Sequence, residues 1–383
     1  MELKLYELIV KSAKVGLELQ LENGSFPKGT NGPWKDSDTH VRTTAHWAML
    51  LYKAYKITDE QEYLLAARKS CNYLIQKENR PYGNTFYCRS NDDKDKCNGL
   101  IGQAWALEPL IIIGIEENNS TYINTAKEVI ENIPYNKKMN LWETIDIDGA
   151  NHGCHFTINQ QIWFSAMNLL LANYLENDNL IENSKSFYSN LPNYIQWVDD
   201  NNLIRHRVIL ESPVKSFVKK ILLKRSNENF NTEVRLRSKG YQTFILFGLA
   251  LAYNYFPQYD FWQDPRMMKM IKKSFNYVLS KYPYGYLEAD DGFRWSYNPV
   301  GIEMSYASEA FSEYLEIDNH HYEIEKWISL QIYGYYNFDD DLMNLNTTDS
   351  NILSSRLYEA TYISDCIIKP YEWHTNWVNK NVT

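Results

Sequence analysis

The sequence predicts an all-α fold: a single domain, 1–383, in which six helical hairpins close into an (α/α)6 toroid of six inner and six outer helices. Three observations predict it. A polar loop rich in Gly and aromatic residues opens into an apolar helix six times, with junctions near Val41, Asn98, Thr157, Gln242, Val300 and Arg356. By subtraction the junctions are 57, 59, 85, 58 and 56 residues apart, a period that means stacked hairpins. The segments opened by the junctions are apolar on nearly every face, and those that follow are amphipathic, so one set is buried and the other half-exposed.

Taken in order, the N-terminal segment Glu2 to Gln20 is amphipathic and supplies the sixth outer helix. Val41 to Ile57 is the first inner helix, through the apolar run Ala45 to Tyr52, and Glu62 to Gln76 is its outer partner. Asn98 to Ile115 pairs with Tyr122 to Ile133, and Thr157 to Leu175 with Ile181 to Trp197. Gln242 to Tyr255 is apolar throughout Phe244 to Ala252. Its partner, Asp264 to Ser280, starts on Asp264-Pro265, a cap residue followed by a proline suited to a first helical turn. Val300 to Leu315 pairs with Tyr322 to Tyr335, and Arg356 to Ile368 completes the inner set. Strand signals are weak and short.

The 85-residue interval is long by about 28 residues, placed at 205–231 between the third and fourth hairpins. From Arg205 to Arg225 this insertion carries seven bases against one acid, Glu211, with Phe217, Ile221 and Leu222 interleaved. A basic amphipathic segment in an acidic protein predicts peripheral contact with an anionic membrane through 212–225. A solvated insertion, a lid or an oligomer contact is the alternative reading.

A formal charge of -9 excludes a general nucleic-acid role. Five cysteines without CxxC spacing predict reduced thiols. Met1 to Lys14 reads as an amphipathic helix rather than a signal peptide, and no run of about 18 apolar residues predicts a spanning helix. A soluble, cytoplasmic protein is expected. Aromatic residues make up 15% of the chain, and Trp and Tyr faces suit sugar stacking as well as core packing. A glycan is therefore the expected partner. No phosphate loop is present, and His152-x-x-His155 lacks a third ligand, so neither a cofactor nor a metal is expected.

The third loop reads Asp148-Gly-Ala-Asn151-His152-Gly153-Cys154-His155, and the fourth Glu233-Val-Arg235-Leu-Arg237-Ser-Lys-Gly-Tyr241. Asn-His-Gly at an inner-helix start, followed one hairpin later by Glu-x-x-x-Arg-x-x-x-Tyr, resembles the helical-toroid alginate and oligoalginate lyases. That resemblance implies β-elimination on a uronic-acid glycan, begun by removal of the C5 proton. It implies Asn151 and Arg237 as carboxylate clamps, His152 as base or second clamp, and Tyr241 as base and acid, with Arg235 competing for the role of Arg237. One position departs from the family pattern: Ala150 stands where a second Asn is usual. The chemistry has an independent logic. A proton beside a carboxylate leaves only when donors are preorganised around the developing dianion, and a His or a Tyr near Arg is a suitable base.

Other loops converge on the same mouth. The first carries Trp34, Asp38, His40 and Arg42, the second Asn98, and the fifth Asp291, Trp295 and Glu303; His155 adds a further polar group. These are expected substrate-binding residues. Carboxylates from opposite loops over aromatic floors also suit a glycosidase, through Asp38 with Asp291 or Glu303. Asn98-Gly99 after several Asp residues is similar, more weakly, to the unsaturated glucuronyl hydrolases. His40, His152, His155 and Arg42 keep sugar epimerisation open, since it shares the first step of elimination. A non-catalytic glycan-binding toroid is the remaining alternative.

Overall fold

The computed structural model describes residues 3–198, 202–208, 228–281 and 294–370. Asp291 and the basic segment 212–225 lie outside the described residues. Twelve α-helices stand among those described: α1 (Leu5–Leu19), α2 (Val41–Thr58), α3 (Gln61–Leu74), α4 (Gly99–Glu116), α5 (Ser120–Asn132), α6 (Ile158–Tyr174), α7 (Asp178–Tyr194), α8 (Glu228–Tyr255), α9 (Pro265–Lys281), α10 (Val300–Ala310), α11 (His320–Tyr335) and α12 (Ser350–Ser355).

The inner helices form a closed circle. Helix α2 packs on α4, α4 on α6, α6 on α8, and α8 on α10. Helix α10 packs on the 3-10 helix Arg356–Tyr362, which returns to α2. Outside, α3, α5, α7, α9 and α11 each cover the inner helix that precedes them, and α1 packs on α2 and the closing 3-10 helix. The toroid is thus the observed architecture. Four of the inner-to-outer turns bend through a residue in the left-handed region: Asp59, Asn118, Glu176 and Glu316, with φ of 62, 52, 52 and 52°. Two of the outer helices that follow start on an Asn side chain, Asn119 and Asn177, which accepts from the first free backbone N–H groups.

The chain ends are clasped. Strand β1 (Leu3–Lys4) pairs antiparallel with β5 (Ile367–Ile368), Leu3 opposite Ile368. Lys4 and the Tyr6 N–H both reach Asp365. Helix α4 has the length and composition of a membrane-crossing segment, but 83% of it is buried inside the ring. Its apolar faces meet α2, α5 and α6, which explains an all-round apolar helix without a bilayer.

Three segments differ from the sequence-based expectation. Helix α8 begins at Glu228, fourteen residues before Gln242, because the polar stretch bearing Arg235 and Arg237 continues the helix toward the mouth. The sixth inner position is not a helix from Arg356 to Ile368. It is the short α12 followed by the 3-10 helix, ending before the clasp strand. The third loop is a small sheet: β2 (Tyr135–Asn136), β3 (Leu141–Ile145) and β4 (Asn151–Cys154), in the order β2-β3-β4. Leu141, Trp142, Thr144 and Ile145 are buried, anchoring the sheet on α6 and α7, and β4 forms its outer edge.

Candidate active site

At the mouth, the loops before the inner helices enclose a cavity of about 320 Å3. Helix α4 sends up Trp105 and helix α8 sends Tyr241 and Phe244. The first loop contributes Asn31, Trp34 and Asp36, the second Arg89, Lys94 and Asn98, and the fifth Tyr297 and Asn298. Asn159, Gln160, His206 and Arg207 line the remaining wall. Flat aromatic faces interspersed with hydrogen-bonding side chains suit a sugar ring.

The lining is rich in cations. Arg89, Lys94, Arg207 and Arg237 face it with a single carboxylate, Asp36. Asp36 accepts from Lys94 at 2.6 Å and from the Asn91 amide at 2.7 Å. Burial pushes the Asp36 carboxyl up, but these hydrogen bonds and the Lys94 charge outweigh it and hold it below the usual range. Arg89 also pairs with Asp95, and Arg237 with Glu233 one turn earlier on α8. The Arg237 guanidinium lies 4.2 Å from the centre of the Trp34 ring, fixing that ring at the rim.

Two titratable rings lie near each other in the wall. The His206 and Tyr241 rings are 6.2 Å apart. His206 Nδ1 is 3.1 Å from Ser238 Oγ on α8. Burial, then the charges of Arg237, Arg207 and Arg205, pushes His206 down to about 4, so it is a neutral imidazole near pH 7. Burial, helped by Tyr297, pushes the Tyr241 phenol up to about 12, so it keeps its proton.

Beneath the floor lie two buried ionic groups. Arg42 donates from Nη1 to Asp38 at 3.4 Å and to the Tyr297 hydroxyl at 3.2 Å, and Tyr297 donates onward to Asn31 at 2.7 Å. Burial pushes Asp38 up to about 7 against the pull of Arg42. Deeper still, Arg356 meets Glu303 at 3.0 Å and Glu359 at 2.6 Å. Burial raises both glutamates, Glu303 to about 7. Thr243 donates to Glu303, and Arg356 reaches the lining through Asn298 at 3.4 Å.

The structure brings Trp34, Asn98, Arg237 and Tyr241 together in the lining. It does not bring Asn151 and His152 there. They lie exposed on β4, because the third loop pairs with β3 instead of running straight into α6. Asn151 donates to Glu143 at 2.7 Å, and His152 stands 3.6 Å from Asp146. His155 is half-buried beside the start of α6, where its Nδ1 accepts from the Thr157 N–H. His40 is tied through Nδ1 to the Phe26 carbonyl at 2.7 Å. Arg235 is exposed on α8, off the cavity. Trp295 is buried in a stack with Trp327 and Tyr335, and Glu303 sits below the floor rather than in it. Arg89, Lys94 and His206 were not singled out from the sequence. Their one signal was position, in the loops before α4 and α8.

No family model matches the chain. Among solved structures, the cellobiose 2-epimerase from Bacillus thermoamylovorans B4167 is similar at a TM-score of 0.62 and 12% identity, over 91% of this chain and 95% of that one. An unsaturated glucuronyl hydrolase specific for heparin is similar at a TM-score of 0.59 and 10% identity, over 99% and 97%. Likeness at these identities shows the toroid fold that surrounds the cavity. Sequence likeness goes further: archaeal glycosylation protein Q of Haloferax volcanii is 34% identical over 375 residues, spanning 94% of this chain and 98% of that protein. The chain belongs to the archaeal glycosylation protein Q family.

Proposed function

We propose that the chain is a carbohydrate-active enzyme that removes the C5 proton of a uronic-acid unit in a glycan or oligosaccharide. One observation carries the reading. The His206–Tyr241 pair stands in a cavity lined by aromatic faces, four cations and one carboxylate that is already engaged. The cations attract the sugar carboxylate and stabilise the dianion that develops when C5 loses its proton. His206 is unprotonated and can take that proton; the bound carboxylate beside it raises its basicity. Tyr241 holds a phenolic proton to give back. In elimination, the C5–H electrons form the C4–C5 double bond, the C4–O bond breaks, and Tyr241 protonates the departing oxygen.

A second outcome has its own support. The relative is named for glycosylation, a process that builds saccharides, and return of a proton to the other face of C5 gives an epimer with every glycosidic bond intact. Hydrolysis has less support. It needs two carboxylates across the sugar, and among the described residues the lining supplies Asp36 alone, held by Lys94 and Asn91.

The test is a panel of uronate oligosaccharides incubated in heavy water and followed by ultraviolet absorbance and mass spectrometry. A rise in absorbance, lost in Tyr241→Phe, supports elimination. Deuterium at C5 without absorbance supports epimerisation. New reducing ends with neither signal overturn the proposal in favour of hydrolysis.

A further inference from the structure

The cations in the cavity wall are already occupied or face water. Arg89 is paired with Asp95, Lys94 with Asp36 and Arg237 with Glu233, while Arg207 is exposed. Arg42 differs. It is 2% exposed, on the first turn of α2, with its guanidinium 4.2 Å from the Trp105 ring centre and 5.2 Å from that of Tyr297. Both rings line the cavity.

Only one corner of this guanidinium is used. Nη1 serves Asp38 and the Tyr297 hydroxyl, whereas Nε and Nη2 are buried without a hydrogen-bond partner. Those two nitrogens form the edge that grips a carboxylate with two parallel hydrogen bonds. Leaving buried donors unmade is costly, so such an edge points to a ligand. Trp105 Nε1 is a further buried donor without a partner, on the ring that Arg42 stacks against.

We propose that Arg42 is the residue that selects a uronate, its Nε–Nη2 edge taking the sugar carboxylate beside Trp105 Nε1, with Asp38 as the positioning residue. The proposal rests on the uronate reading above: the cations of the rim draw the carboxylate in, and the edge of Arg42 at the floor grips it. The edge has no solvent contact while the two rings cover it, so binding includes a movement of side chains over it. Asp38 fits this role. It meets Arg42 through Nη1 alone, at 3.4 Å, and so holds the guanidinium while leaving the Nε–Nη2 edge to a ligand.

The experiment is calorimetric binding of disaccharides ending in glucuronate, mannuronate or galacturonate, each against its neutral hexose counterpart. The chains compared are wild type, Arg42→Gln, Arg42→Lys and Arg237→Gln, with thermal melts reporting their folding. Wild type prefers at least one uronate to its neutral partner. Arg42→Gln loses that preference by on the order of 10- to 100-fold. Arg42→Lys keeps the charge opposite Asp38 but not the planar fork, and loses most of it. Arg237→Gln leaves the Arg42 edge intact and keeps most of the preference. Should Arg42→Gln not fold, the lysine variant decides. Folded Arg42 variants that keep the full preference overturn this assignment and leave the uronate reading standing. A wild type that prefers no uronate overturns both.

Discussion

Arg356, in the closing 3-10 helix, lies 3.0 Å from Glu303 on α10, and both side chains have zero exposure. Glu359, one turn further on, shares the same guanidinium. One cation thus joins the last inner element to its neighbour at the ring's centre. Removing it alone strands two acids in the core. Arg356→Met is expected to lower unfolding free energy by about 3–5 kcal/mol, as when one partner of a buried pair is lost. The double variant Arg356→Met/Glu303→Gln should recover part of that loss. Urea unfolding checks both; a single variant within about 1 kcal/mol of wild type would show that the pair does not hold the ring.

Glu108 on α4 makes stability depend on pH. Burial pushes its carboxyl from the usual 4.5 up to about 7, against the hydrogen bond from the Tyr362 hydroxyl at 2.5 Å. The folded chain therefore holds this proton more tightly than the unfolded chain. The contribution is complete below pH 4.5 and is lost as pH rises through 7. Replacing Glu108 by Gln removes the titration. The difference in urea midpoint between about pH 5 and about pH 8 should shrink by an amount worth roughly 3 kcal/mol at most. An unchanged difference would mean that Glu108 does not titrate in this window.

His206 sets the acid limb of activity under the proposed mechanism. Its depressed pKa of about 4 keeps it unprotonated over a wide range, so kcat/KM should persist to acid pH and fall only as pH drops through about 4. The kcat/KM profile is the right measurement because it reports the free enzyme. A limb near the ordinary histidine value of 6.5 would remove His206 as the base.

The exposed hairpin and the cavity make opposite predictions. Asn151→Ala/His152→Ala should change turnover less than about twofold, whereas Tyr241→Phe should lower kcat by about 100- to 10,000-fold. Steady-state kinetics on one active uronate substrate distinguishes them. A hairpin variant as damaged as Tyr241→Phe would relocate the site to β4.

The ring was legible because burial leaves a strong mark on composition. Leu100 to Ile113 and Phe244 to Ala252 are apolar on nearly every face, and in this ring both are enclosed by other helices. The start of α8 was not legible, since Glu228 to Gln242 is polar and reads as loop until the rim cations are seen to need a rigid base. Strands β3 and β4 were hidden for a related reason. Asn-His-Gly gives a cap-like reading, and nothing local shows that Glu143 and Cys154 will face each other. Of the residues that line the cavity, the lyase resemblance pointed to Arg237 and Tyr241 and the first loop to Trp34, whereas Arg89 and His206 line it only because distant loops converge.

The clasp between Leu3 and Ile368 joins positions 365 apart by subtraction, so the ring closes across nearly the whole chain. Bringing such distant segments together carries a loop-closure entropy that no local contact repays in advance. The cavity inherits this timing. Its wall joins Asn31 from the first loop to Tyr297 from the fifth, a bond that exists only once the circle is complete. A chain that lacks the fifth loop cannot make that bond, so the wall of the cavity is complete only when the first and fifth loops have met.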